Sequence, residues 1–171
     1  VTDDELRTEL LRRMEVDQDI RRQAAESSSQ EFMARWMDID RDNTTWLWSV
    51  VRVRGWPLWS QVGQDGEAAA WLLAQHADAA PDIQREFHSA LSAAVDQQEA
   101  KRAHLAYLAD RVRVNAGRPQ LYGTQFVEDG TGFRPHPIED RDQLDLRRAS
   151  VGLQPFAEYE FEIRRFQDGN G

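Results

Sequence analysis

Apolar residues recur at helical spacing along most of this chain, and no other feature limits its fold as much. At about 100° per residue, Leu6, Leu10, Arg13, Asp17 and Ile20 share one stripe of a helix over residues 3–26, with Arg21 at its edge. Ser27-Ser28-Ser29 marks a break, followed by a short piece over 32–37. A second helix is expected from an Asp42 cap to Arg54, with Leu47, Val50 and Val51 inward and Asn43 one turn before Leu47; Gly55-Trp56-Pro57 stops it. Further helices are expected over 65–77, 81–97 and 99–112. Elements that each bury a single apolar stripe must pack helix on helix.

The period changes after Gly117. Segments 120–127 and 133–138 flank Asp129-Gly130-Thr131-Gly132 and read as the arms of a hairpin, although Pro135 and Pro137 suit an edge better than an interior strand. A helix over 141–151 ends at Gly152. Pro155 opens a last one through 166, with Phe156, Tyr159 and Ile163 on one face; 168–171 is expected to fray. The fold expected is mainly α: a single-domain helical bundle over 1–171, with a small β-hairpin inserted at about 120–138.

Charge and composition exclude several functions. The net charge is −9 with no basic stripe, which argues against nucleic acid as a partner. No apolar run approaches the roughly 20 residues that cross a bilayer, and no signal-peptide pattern opens the sequence. Cysteine is absent, which removes disulfides, thiolate metal sites and a Cys nucleophile, and fits the cytoplasm. A single Lys stands among 21 basic residues, leaving little for Schiff-base chemistry; the Arg and Ala bias is that of a GC-rich bacterial genome. Phosphate-loop, dinucleotide, nucleophile-elbow and zinc-protease motifs are missing, and the four His are scattered, so no metal or other cofactor is expected.

Several polar residues fall where a fold alone would not put them. Asp17 points along an apolar stripe, beside Gln18 and one turn before Arg21; a surface ion pair is the plainer alternative. His76 closes a helix on its inward side, next to Gln75, and titrates nearest neutrality; a helix-end histidine without chemistry is equally compatible. Tyr107, Asp110 and Arg111 share one side of a helix, as a capping network or as an anion clamp oriented by Asp110. Gln120, Tyr122 and Thr124 are expected on one face of an extended segment, with Leu121 and Gln125 on the other. Amides, a phenol and a hydroxyl gathered in a Gly- and Pro-punctuated connection suit reading the polar edge of a small molecule. Trp46, Trp48, Trp56 and Trp59 are too closely spaced to be all core, and suit docking of a second subunit, alike or different.

Asp17-Gln18 with Arg21, Asn43, Gly55-Trp56-Pro57, Gln75-His76-Ala77, Tyr107-Leu108 with Asp110-Arg111, Gln120-Leu121-Tyr122-Gly123-Thr124-Gln125 and Pro137-Ile138 resemble the marker stretches of a bacterial family catalogued as a domain of unknown function. The resemblance extends from the first helix to about Leu153. It implies one helical domain with these polar positions as functional residues, and no activity. The expectation is a small metal-independent enzyme acting on a polar, anionic metabolite by hydrolysis, elimination or ring closure, with natural-product biosynthesis one setting. Asp17, His76, Asp110 and Arg111 would carry the chemistry. Gln18, Arg21, Asn43, Trp56, Gln75, Tyr107, Gln120, Tyr122, Thr124 and Gln125 would bind substrate. A non-catalytic ligand-binding or partner subunit is the competing reading.

Overall fold

The computed structural model describes residues 1–23, 29–130 and 132–169. Among them are seven α-helices: α1 (Asp3–Gln23), α2 (Gln30–Arg54), α3 (Trp59–Gln75), α4 (Pro81–Asp96), α5 (Arg102–Asn115), α6 (Leu144–Ser150) and α7 (Phe156–Gly169). One antiparallel hairpin, β1 (Phe126–Asp129) and β2 (Gly132–Pro135), pairs Phe126 with Pro135 and Asp129 with Gly132. The chain is therefore mainly α with a hairpin in its C-terminal third. The expected helical turn at 24–26, the break at Ser27-Ser28, Thr131 of the hairpin turn and the fraying at 170–171 lie outside the described residues.

The chain folds as two compact units, Val1–Lys101 and Arg102–Gly171. In the first, α1 lies chiefly against α3. Arg7 pairs with Asp65 and Asp17 meets His76, so these two helices run parallel. Arg54 pairs with Asp3 and Arg21 with Asp40, so α2 runs antiparallel to α1. The core of this unit includes Leu6, Leu10, Ile20, Leu47, Val62, Leu73, Phe87 and Leu91, each 2% exposed or less.

Several helix boundaries differ from expectation: α5 spans Arg102–Asn115 rather than 99–112, a 3-10 turn at Arg141–Gln143 precedes α6, and α7 continues through Gly169 where fraying is expected from 168; the starts of α2 and α3 differ most. α2 does not begin at Asp42 but runs unbroken from Gln30, because the Ser29 side chain accepts the Phe32 N–H and caps it. Asp42 is an exposed mid-helix residue paired with Arg13 at 2.7 Å. α3 starts at Trp59 rather than near 65; Gly63, with φ of 71°, bends it, and the expected helix corresponds to the segment after that bend. Trp56 is 3% exposed and belongs to the core. Trp46, Trp48 and Trp59 are half-buried: Arg13 lies 4.5 Å from the Trp46 ring centre, Arg52 lies 4.8 Å from that of Trp48, and the Trp48 N–H donates to Glu86. The Trp59 indole donates to Glu67, whose carboxyl is fully buried.

In the second unit the stretch expected to alternate between faces is a turn. Gly123 sits at φ of 68°, and strand pairing begins only at Phe126. An isolated parallel bridge joins Gln120 to Ile138.

Candidate functional site

The first unit gathers Asp17, Gln18, Arg21 and His76 into one cluster and adds Asp40. Asp17 is fully buried because its helix position belongs to the stripe of Leu6, Leu10 and Ile20. A carboxylate placed there needs partners on every side. Its Oδ1 accepts from Arg21 at 2.8 Å and faces His76 Nδ1 at 3.0 Å, while Oδ2 accepts from the Gln18 amide at 3.0 Å. The other Arg21 nitrogen donates to both Asp40 oxygens, at 3.0 and 3.2 Å, and the guanidinium lies 5.2 Å from the Trp36 ring centre. Burial raises the Asp40 carboxyl above its ordinary value, and Arg21 pulls against that rise.

His76 ends α3, and the carboxylate sets its tautomer. The other side-chain neighbours of Asp17 also present it with a hydrogen, so in the neutral ring the proton belongs on His76 Nδ1 and the lone pair on Nε2. The imidazole is 20% exposed. Gln84, wholly buried, fixes the helix end beneath it by donating to the Ala74 and Gln75 carbonyls and to Asp78, each at 3.2 Å. An imidazole oriented by a buried carboxylate, with its second nitrogen unprotonated, can accept a proton and return it.

Gln75, Asn43 and Trp56 share a different property. Each is buried, and each has a side-chain N–H with no acceptor among the described residues. Such a group costs about 1–3 kcal/mol when left unpaired, more than a purely structural position tolerates without reason. Gln75 adjoins His76. Asn43 lies one turn beyond Asp40 on α2, where its Oδ1 accepts from Arg13 at 2.9 Å. Trp56 lies beyond the C-terminal end of α2, whose last residue is roughly 16 Å along the axis from Asn43 at 1.5 Å per residue, and does not join the cluster.

In the second unit, Asp110 organises the turn instead of orienting Arg111. Its carboxylate accepts the N–H groups of Leu121, Tyr122 and Thr124, at 2.6 to 3.1 Å, and the Thr124 hydroxyl at 2.9 Å. Burial raises the Asp110 carboxyl above its ordinary value, and these four donors act to lower it. The Gln125 amide donates to Thr124 Oγ1 at 3.0 Å, and Arg111 donates to Gln125 Oε1 at 3.0 Å. Gln120 uses both amide hydrogens on the Gln125 and His136 carbonyls, and its Oε1 accepts the Gln125 N–H, so it acts as a strand partner. Tyr107 meets Tyr159 edge to face at 6.2 Å. Burial, and then the Asp110 charge, raise the Tyr122 phenol.

Four residues that organise these groups, Asp40, Arg13, Gln84 and Arg148, lie outside the site residues expected from the sequence. Asp40 and Arg13 act across the α1–α2 contact, which no local pattern reveals. Gln84 shares the inward side of α4 with Phe87 and Leu91. Arg148 does carry a visible signal, since it stands one turn after Leu144 on an inward stripe, much as Asp17 stands two turns after Leu10 and one before Ile20. It is 1% exposed and donates to the Gln154 and Tyr122 carbonyls, with the Tyr159 ring centre 4.8 Å away. Burial lowers its guanidinium from the ordinary range.

Among the described residues no helix is long and apolar enough to cross a membrane, and no three His, Asp or Glu side chains gather to hold a metal ion. No curated protein and no solved structure matches the chain. A family model described as a family of unknown function covers residues 4–171, and the chain belongs to that family, DUF6624.

Proposed function

We propose that this protein is a small acid–base enzyme acting on a polar, anionic metabolite, with His76 as the group that moves the proton. The observation that carries the reading is the contact of a fully buried Asp17 with His76 Nδ1 at 3.0 Å, on an imidazole still open to solvent. Asp17 holds the ring in one tautomer, Arg21 balances the charge of Asp17, and Nε2 faces the reacting group. Hydrolysis, elimination and intramolecular ring closure each need one such proton shuttle. Arg111, with Gln125, is the anion-recognition candidate of the second unit; Asp110 acts on it only through the turn. The acidic net charge disfavours nucleic acid, and the absence of cysteine suits the cytoplasm. The half-buried Trp46, Trp48 and Trp59 are the surface through which an oligomer would form.

The test is turnover. Wild-type protein and His76→Ala are incubated with a library of polar metabolites, and consumption is followed by mass spectrometry. A compound consumed by wild type and spared by the variant supports the reading. Compounds consumed equally by both sink it. The second reading, a ligand-binding subunit without chemistry, is favoured by the unpaired donors of Asn43 and Gln75, and predicts retention of a compound without change.

A further inference from the structure

Arg21 stands between two carboxylates, one on its own helix and one on α2. Its Nη1 donates to Asp17 Oδ1 at 2.8 Å and, more weakly, to the Asp17 carbonyl at 3.4 Å. Its Nη2 donates to both Asp40 oxygens, at 3.0 and 3.2 Å. Trp36, one turn before Asp40, carries the same guanidinium over its ring, 5.2 Å from the ring centre. A guanidinium holds a carboxylate most strongly as a fork, with two parallel N–H···O bonds to the two oxygens. Asp17 does not receive that fork. It takes one Arg21 nitrogen, its Oδ2 takes the Gln18 amide at 3.0 Å, and its Oδ1 still meets His76 Nδ1 at 3.0 Å.

We propose that Asp40 is a positioning residue for His76 that acts through Arg21: by giving Nη2 a carboxylate of its own, it keeps the guanidinium from closing its fork on Asp17 and leaves Asp17 Oδ1 to the imidazole. The inference rests on the reading of His76 as the group that moves the proton, and names the residue that keeps its partner available. Without the Asp40 charge, the strongest acceptor within reach of Nη2 is Asp17, one helix turn away on the same face. A fork there displaces the Gln18 amide from Oδ2 and turns Oδ1 off the ring. Asp17 is fully buried, so the oxygen that His76 loses passes to the guanidinium and not to water. The effect of Asp40 on the ring therefore exists only while residue 21 can form a fork.

The test is the tautomer of the neutral His76 ring, read by direct ¹⁵N NMR on the full-length protein; it needs no substrate. In Asp40→Asn the ratio of Nδ1–H to Nε2–H is expected to fall about fivefold or more below that of wild type, and Asp40→Ser, which also removes the carboxylate, should act alike. The Asp40 side chain is 23% exposed, so both variants keep the fold, and backbone amide spectra unchanged away from the site verify that. Asp38→Asn removes an acid of the same helix that pairs with Arg41, and should leave the ratio as it is. Lysine carries a single ammonium and cannot fork, so Asp40→Asn made in an Arg21→Lys background should move the ratio by less than about twofold. An Nδ1–H ring indifferent to both Asp40 variants overturns this inference and leaves the reading of His76 standing. An equal shift in the Arg21→Lys background means that Asp40 acts by charge alone, and overturns it as well. A wild-type ring protonated on Nε2 overturns both.

Discussion

Asp17 is an acid at a position that the fold makes apolar. It completes an apolar stripe, yet it organises Arg21, Gln18 and His76. Asp17→Asn keeps the shape but leaves a guanidinium facing a neutral amide, so we expect a loss of about 1.5–3 kcal/mol in urea denaturation together with loss of activity. His76→Ala, at a partly exposed helix end, should cost roughly 1 kcal/mol or less while removing activity as fully. Gly123 is equally specific. A Cβ there would lie 2.7 Å from Phe156 Cε2 on a backbone at φ of 68°. Left-handed strain of about 1–2 kcal/mol adds to overpacking of about 1–3 kcal/mol, so Gly123→Ala should destabilise the protein by roughly 2–5 kcal/mol in the same measurement. His88 gives a pH dependence. Burial holds its imidazole below the ordinary 6.5. As pH falls, the unfolded chain takes up the proton first, so the contribution of His88 to stability is complete above 6.5 and is lost as pH drops toward the folded value. A His88→Gln variant should show a shallower fall in stability across that window; an unchanged slope would contradict the assignment.

The elements show what local pattern can and cannot disclose. Apolar period locates every helix, and the inward placement of Asp17 and His76 is legible because each breaks an apolar stripe. Boundaries are less legible. The start of α2 hangs on one serine hydroxyl, and Ser29→Ala should cost about 0.5–2 kcal/mol, with fraying near Gln30 visible as faster amide exchange there. The Gln120–Gln125 turn reads as extended in the sequence because alternation carries no information about φ. What fixes the turn comes from two helices at once: Asp110 takes its N–H groups, while Arg147 and Arg148 donate to the Leu121 and Tyr122 carbonyls. The polar richness that suggests ligand recognition in this stretch is therefore largely satisfied within the unit. Asp40 and the pairing of Arg13 with Asn43 are illegible for a different reason. Both depend on α2 lying antiparallel to α1, a fact that exists only after packing.

At the scale of the whole molecule, each of the two compact units holds its own polar network, one centred on Asp17 and the other on Asp110. The central claim is narrower: His76 is held by Asp17 with its outer nitrogen ready to accept a proton. Direct ¹⁵N NMR of the histidine ring nitrogens at neutral pH tests this. The account predicts that His76 carries its proton on Nδ1 and leaves Nε2 unprotonated, and that Asp17→Ala abolishes that preference. A dominant Nε2–H tautomer in the wild-type protein, or a tautomer indifferent to Asp17, would contradict it.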